Sequence, residues 1–155
     1  MKSGGRILYV GTLPRIQLYA ETIRIHQLRR PKEWDLYECT GEPSQDIVWL
    51  TNALEQYDGI LLDGVSFYLY RALCYYSLGE AELEQFNTLL AKAAILPVYL
   101  ILIDQPLANV PRDIHVAGRL LHARIYRYCH SLFYVEEGVR FPCSARKLRQ
   151  LDRGR

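Results

Sequence analysis

The chain opens with an unbroken apolar run, RILYVGT from Arg6 to Thr12, the pattern of a strand buried on both faces. From about Ile16 to Arg29 the period lengthens to that of a helix, with Tyr19, Ile23 and His26 on one side and Pro31 stopping it. Trp34 to Cys39 alternates as a short strand. Ser44 is expected to cap a helix to about Tyr57, with Asp46 favouring the helix dipole and Ile47, Leu50 and Leu54 buried. Asp58-Gly59 makes a turn, and Ile60 to Leu62 is a strand ending at Asp63. A tyrosine-rich helix over Ser66 to Leu78 is closed by Gly79, and a second helix covers Glu80 to Ala94. Val98 to Ile103 is the most apolar strand and ends at Asp104. A long helix, Arg112 to Leu132, carries Ile114, Ala117, Leu121, Ile125 and Tyr128 on one face. A last strand, Leu132 to Val135, leads through Gly138 to the tail.

Strands alternating with helices predict an α/β fold with a mostly parallel sheet and helices on both faces. Asp63 and Asp104 fall at carboxyl ends of apolar strands, the edge where ligands bind in open α/β sheets.

The 155 residues suit one α/β domain over residues 1–143, followed by a basic tail, 144–155, of net charge +4. The whole chain is only +2, so the rest is −2, which argues against nucleic-acid binding. No apolar run reaches the roughly 18 to 20 residues of a membrane span. The opening MKSGGR lacks the apolar core of a signal peptide, and Cys39, Cys74, Cys129 and Cys143 have neither C-x-x-C nor zinc spacing. A cytoplasmic protein with reduced thiols is expected. The twelve tyrosines suit packed surfaces or a subunit interface.

Several segments recur in one order. RILYVGT is followed by a helix holding His26, then RRPKEW from Arg29 to Trp34. LLDGVSFYL spans Leu61 to Leu69, and DQPLANVP spans Asp104 to Pro111. The order and spacing resemble the adenosylcobinamide kinase/adenosylcobinamide-phosphate guanylyltransferase family of cobalamin biosynthesis, from about Arg6 to Pro142. His26, Pro31 and Trp34 carry the most specific part of the likeness.

The resemblance implies a three-layer α/β/α fold like that of P-loop nucleotidases, assembled as a homo-oligomer. It implies GTP or ATP with Mg²⁺ as cofactors and a cobinamide as substrate. A nucleoside triphosphate phosphorylates the cobinamide; GTP then guanylylates a histidine, which passes GMP to the phosphorylated substrate. His26 aligns with that catalytic histidine. Arg24, Arg29, Arg30, Lys32 and Trp34 surround it in sequence as nucleotide or substrate contacts. Asp63 matches an acid that helps hold the metal, Ser66 matches a threonine beside it, and Asp104 stands where the family has a glutamate.

The family's first strand and its G-x-x-x-x-G-K-[ST] loop should precede RILYVGT, where only MKSGG stands. The lysines are Lys2, Lys32, Lys92 and Lys147, and none follows a glycine. Without the loop there is no amide cradle, lysine or hydroxyl for the phosphates and Mg²⁺, so the kinase half is expected to be lost. The absent strand is central in the family's fold; its loss would leave a gap with two unpaired edges, which the chain could close by re-pairing its strands or by using the edge for oligomerisation. Two readings stand: residual guanylyl transfer through His26, or a non-catalytic nucleotide- or corrinoid-binding or interaction protein. His115, Arg119 and His122 share a polar helix face and could hold an anion, though such a face is more often simply solvated.

Overall fold

A computed structural model describes residues 5–13, 15–65, 80–103, 125, 127–131, 133–136 and 139–142. Four strands form one parallel sheet: β1 (Ile7–Gly11), β2 (Asp35–Glu38), β3 (Gly59–Asp63) and β4 (Tyr99–Ile103), in the order β2-β1-β3-β4. Helix α1 (Ala20–Arg29), entered through a 3-10 turn at Gln17–Tyr19, joins β1 to β2. Helix α2 (Pro43–Ala53) leads from β2 to β3, and α3 (Glu80–Ile95) precedes β4. The α/β class expected from the sequence is what the chain adopts. Among the described residues, no helix is long and apolar enough to cross a membrane.

The register explains the layering. Leu8 lies beside Ile60, which lies beside Leu100; Val10, Leu62 and Leu102 align in the same way. Side chains abreast in a parallel sheet share a face. This face is the apolar one, and it packs against Ile47, Leu50, Ala53 and Leu54 of and beyond α2 and Phe86, Leu89 and Leu90 of α3. Burying each such side chain contributes roughly 1.5–3 kcal/mol, so most of the fold's stability lies in this layer. The opposite face carries Tyr9, Gly11, Leu36, Glu38, Asp63, Ile101 and Ile103. Only α1 among the described helices crosses it, and α1 has no buried residue.

Going from β1 to β2 the chain moves one way along the sheet; from β2 to β3 it crosses back over β1. Right-handed crossovers in opposite directions put α1 and α2 on opposite faces. The order also creates a switch point between β1 and β3, where a crevice opens at the strands' carboxyl ends.

No gap stands beside β1, which is hydrogen-bonded to β2 on one side and β3 on the other. The last expected strand also differs. Phe133–Glu136 (β5) pairs antiparallel with Val139–Pro142 (β6), a strand the sequence reading took for the approach to the tail. Ile125, Arg127 and Tyr128 are helical, and Ile125 is buried in the core as expected. Ser66 to Leu78, Asp104, His115, Arg119, His122 and the basic tail lie outside the described residues.

Helix α2 begins differently from expectation. Its N-cap is Glu42, without a side-chain cap, and Pro43 opens the first turn, so Ser44 is inside the helix. Proline fits there because that amide has no intrahelical partner. The helix ends at Ala53 rather than near Tyr57. Asp46 does more than favour the dipole. It is fully buried, and Oδ1 accepts from Tyr37 Oη at 2.7 Å, Thr40 N at 2.9 Å and Thr40 Oγ1 at 3.0 Å. Oδ2 accepts from Gly41 N at 3.2 Å, a glycine whose φ of 93° suits no other residue well. The carboxylate thus holds the β2–α2 turn closed.

Replacing Asp46 with alanine strands these donors. We predict a stability loss of roughly 3 kcal/mol in urea denaturation, the scale of charged hydrogen bonds removed from a buried site. A loss well under 1 kcal/mol would mean that water replaces the carboxylate and that the turn does not depend on it.

Candidate functional site

Three strand ends and one helix enclose a cavity of about 370 Å³. Gly11 and Glu38 are abreast across β1 and β2, and Gly11 and Asp63 across β1 and β3. The chain continues past β1 as Thr12 and Leu13 and past β3 as Gly64, and all of these line the cavity. Helix α1 supplies Thr22, Ile23, His26 and Gln27, and Arg30 follows at its end. The 3.6-residue period brings Ile23, His26, Gln27 and Arg30 to the side facing the sheet.

The crevice is braced at both strand ends. Thr12 is buried, and its hydroxyl donates to the carbonyl of Asp63 at 2.6 Å, with the carbonyl of Gly64 at 3.2 Å. Gly64 has φ 84°, which turns the chain sharply after β3 while its amide still donates to the carbonyl of Ile103 at 3.0 Å. On the other side, the Glu38 carboxylate accepts from Gln27 Nε2 at 3.1 Å and forms an ion pair with Arg15. That carboxylate ties the loop after β1 to the last turn of α1.

At the centre lie Tyr9, His26 and Asp63. The Tyr9 hydroxyl donates to Asp63 Oδ2 at 2.6 Å and stands 3.1 Å from His26 Nδ1. His26 Nδ1 is itself 3.3 Å from Asp63 Oδ2. Nε2 of His26 has no hydrogen-bond partner among the described residues, and the side chain is 44% exposed. Burial, together with the hydrogen bond and negative charge of Asp63, raises the Tyr9 phenol well above its ordinary 10.0, while Arg30 acts in the opposite direction. Tyr9 is therefore a neutral proton donor at physiological pH.

Arg30 places its guanidinium 5.7 Å from the Tyr9 ring centroid. Its Nε is buried and has no hydrogen-bond partner among the described residues. A buried guanidinium nitrogen without an acceptor carries a desolvation cost that an anionic ligand would relieve.

The residues expected from the sequence divide clearly. His26, Arg30 and Asp63 come together in the cavity. Arg24 does not line it: it forms an exposed ion pair with Glu21 at 2.7 Å, one turn away. Arg29 and Lys32 are exposed and outside the lining, and Trp34 sits beyond it in the turn before β2. Ser66 and Asp104 are outside the described residues. Asp63 was expected to hold a metal. Its Oδ2 accepts from the Tyr9 hydroxyl and lies 3.3 Å from His26 Nδ1.

Sequence reasoning missed Tyr9, Thr12, Gln27 and Glu38. RILYVGT reads as uniformly buried, yet Leu8 and Val10 turn to the core while Tyr9 and Gly11 turn to the cavity. A tyrosine flanked by aliphatic residues in a strand was the available signal, because a phenol needs a partner when half-buried. Among known proteins, no family model and no curated sequence matches this chain.

Two predictions follow from the electrostatics. Arg30→Gln should weaken binding of inorganic pyrophosphate, read by calorimetry, at least about tenfold. Arg24→Gln should change it less than about twofold, as expected of an exposed pair. Equal losses in both would put the anion on the outer side of α1. The second concerns pH. The unfolded chain ionises Tyr9 near 10.0, and the folded protein holds the proton to higher pH. Stability from this group is fully present below pH 10 and is lost as pH rises through the raised folded value. Tyr37 and Tyr57, also raised, act in the same direction. Urea melts from about pH 9 to 11 should show falling stability, with a shallower fall in Tyr9→Phe. An unchanged slope would remove Tyr9 as a source.

Proposed function

We propose that the cavity binds a nucleotide and that His26 accepts a nucleotidyl group through Nε2. The observation that carries this reading is the placement of His26 Nδ1 against Tyr9 and Asp63, with Nε2 unpartnered among the described residues. A nucleophilic imidazole needs one free nitrogen, and it gains from a carboxylate near the other as positive charge builds on the ring. In the transfer step, the Nε2 lone pair forms a bond to the α-phosphorus of a nucleoside triphosphate. The bond to the bridging oxygen breaks, and pyrophosphate leaves with that electron pair. Arg30 is suited to offset the negative charge that develops on the phosphate oxygens. The resulting phosphoramidate then passes its nucleoside monophosphate to a phosphorylated acceptor, which returns His26 to its starting state.

The resemblance supplies the identities: GTP as donor and a phosphorylated cobinamide as acceptor. The cavity lies within the usual range of small-molecule sites, roughly 300–1,000 Å³, a size that favours a nucleotide inside and a corrinoid at the mouth. The kinase half of the family's chemistry forms no part of the proposal, since the sequence has no Gly-Lys-Ser/Thr loop.

GTP labelled at the α-phosphate should leave acid-labile label on the wild-type chain and none on His26→Ala. If the two label equally, transfer through His26 is refuted. Calorimetric binding of GTP without labelling would leave a non-catalytic nucleotide-binding protein.

A further inference from the structure

Tyr9 stands between the catalytic candidate and its carboxylate, and the hydrogen atoms there can be counted. A phenol has one proton to give. The Asp63 carboxylate can only accept, and the 2.6 Å separation from the Tyr9 hydroxyl is the short distance of an O–H···O⁻ bond. The phenol proton is therefore committed to Asp63. Toward His26, 3.1 Å away, the same oxygen offers only lone pairs. Nδ1 must then be the donor. The negative charge of Asp63 Oδ2, 3.3 Å from Nδ1, favours hydrogen on that nitrogen as well.

We infer that Tyr9 is a positioning residue: by giving its proton to Asp63 it makes neutral His26 carry hydrogen on Nδ1 and leaves the Nε2 lone pair free. The reverse arrangement would have the phenol donate to Nδ1. It would then bring an unprotonated oxygen within 2.6 Å of a carboxylate oxygen, with nothing between them. Asp63 thus sets the tautomer largely through the tyrosine. The raised pKa of the phenol keeps the relaying proton in place across the physiological range. The catalytic consequence rests on the proposed transfer reaction, since the tautomer decides whether Nε2 can attack. The tautomer itself is a property of the free protein.

The test is therefore made without nucleotide. Long-range proton–nitrogen correlation spectra of the ¹⁵N-histidine-labelled full chain, at about pH 8.5 and so above the ordinary histidine value of roughly 6.5, report which ring nitrogen bears hydrogen. His26→Gln identifies the His26 signals among those of the four histidines. The wild type should show Nδ1–H. In Asp63→Ala the phenol proton is released toward Nδ1, and His26 should switch to predominantly Nε2–H. Adding Tyr9→Phe to that variant removes the donor, so the preference for Nε2–H should relax toward that of a free imidazole. Tyr9→Phe alone removes the lone pair that Nδ1–H meets at 3.1 Å and leaves only the carboxylate nearby, so the Nδ1–H preference should fall below that of the wild type; an unchanged preference overturns the relay.

A wild type with Nε2–H overturns the inference and needs no variant to do so. An Asp63→Ala protein that keeps Nδ1–H, or that matches the double variant, also overturns it. Failure of nucleotide transfer is a separate result: a chain with the Nδ1–H tautomer that takes no label from GTP keeps the Tyr9 relay and loses the enzymatic reading.

Discussion

Parallel hydrogen bonding of β1 to a neighbour on each side is the constraint from which the site follows. It sets Gly11 level with Glu38 on one side and with Asp63 on the other. Two carboxylates from distant parts of the sequence are thereby held at the same height, with a residue lacking a side chain between them. One position of slip in either pairing would turn Asp63 or Glu38 into the apolar layer, where an unpaired carboxylate is costly. The leucine, valine and isoleucine rows on the opposite face forbid that slip. The packed face therefore determines the geometry of the open one.

The same division explains the uneven character of the helices. Helix α2 and helix α3 are wedged into the core, and Lys92 links them at one end through Glu55 at 2.7 Å. Helix α1 is held differently, by polar ties such as Gln27 to Glu38 and by the approach of His26 to Tyr9. Its side chains project into the crevice instead of sealing it, so a cavity persists where a larger apolar stripe would have closed the gap.

Much of this was legible in the sequence. The strand–helix alternation, the strand end at Asp63 and the stripe of α2 follow from periodicity and apolar runs. His26 and Asp63 were placed in one site by the resemblance, on residues 37 apart in the chain. What escaped was the facing of individual residues inside short apolar segments. Tyr9 could not be assigned a side because RILYVGT lacks alternation. Glu38 gave no signal at the end of a short strand, and Arg24 could not be told from Arg30 without the helix phase relative to the sheet. The continuity of the sheet was also beyond reach, because strand order is decided by crossovers, which leave no local trace. Val139–Pro142 was passed over because four residues beside a turn carry little periodicity.

Because α1 buries none of its residues, its sequence is almost decoupled from whether the chain folds. A substitution at Thr22, Ile23, Gln27 or Arg30 changes what the crevice meets without disturbing the layer that holds the protein together. Selection could therefore rewrite this helix step by step, each intermediate still folded. The separation of a packed face from an open face gives the molecule evolutionary latitude in the lining of its crevice.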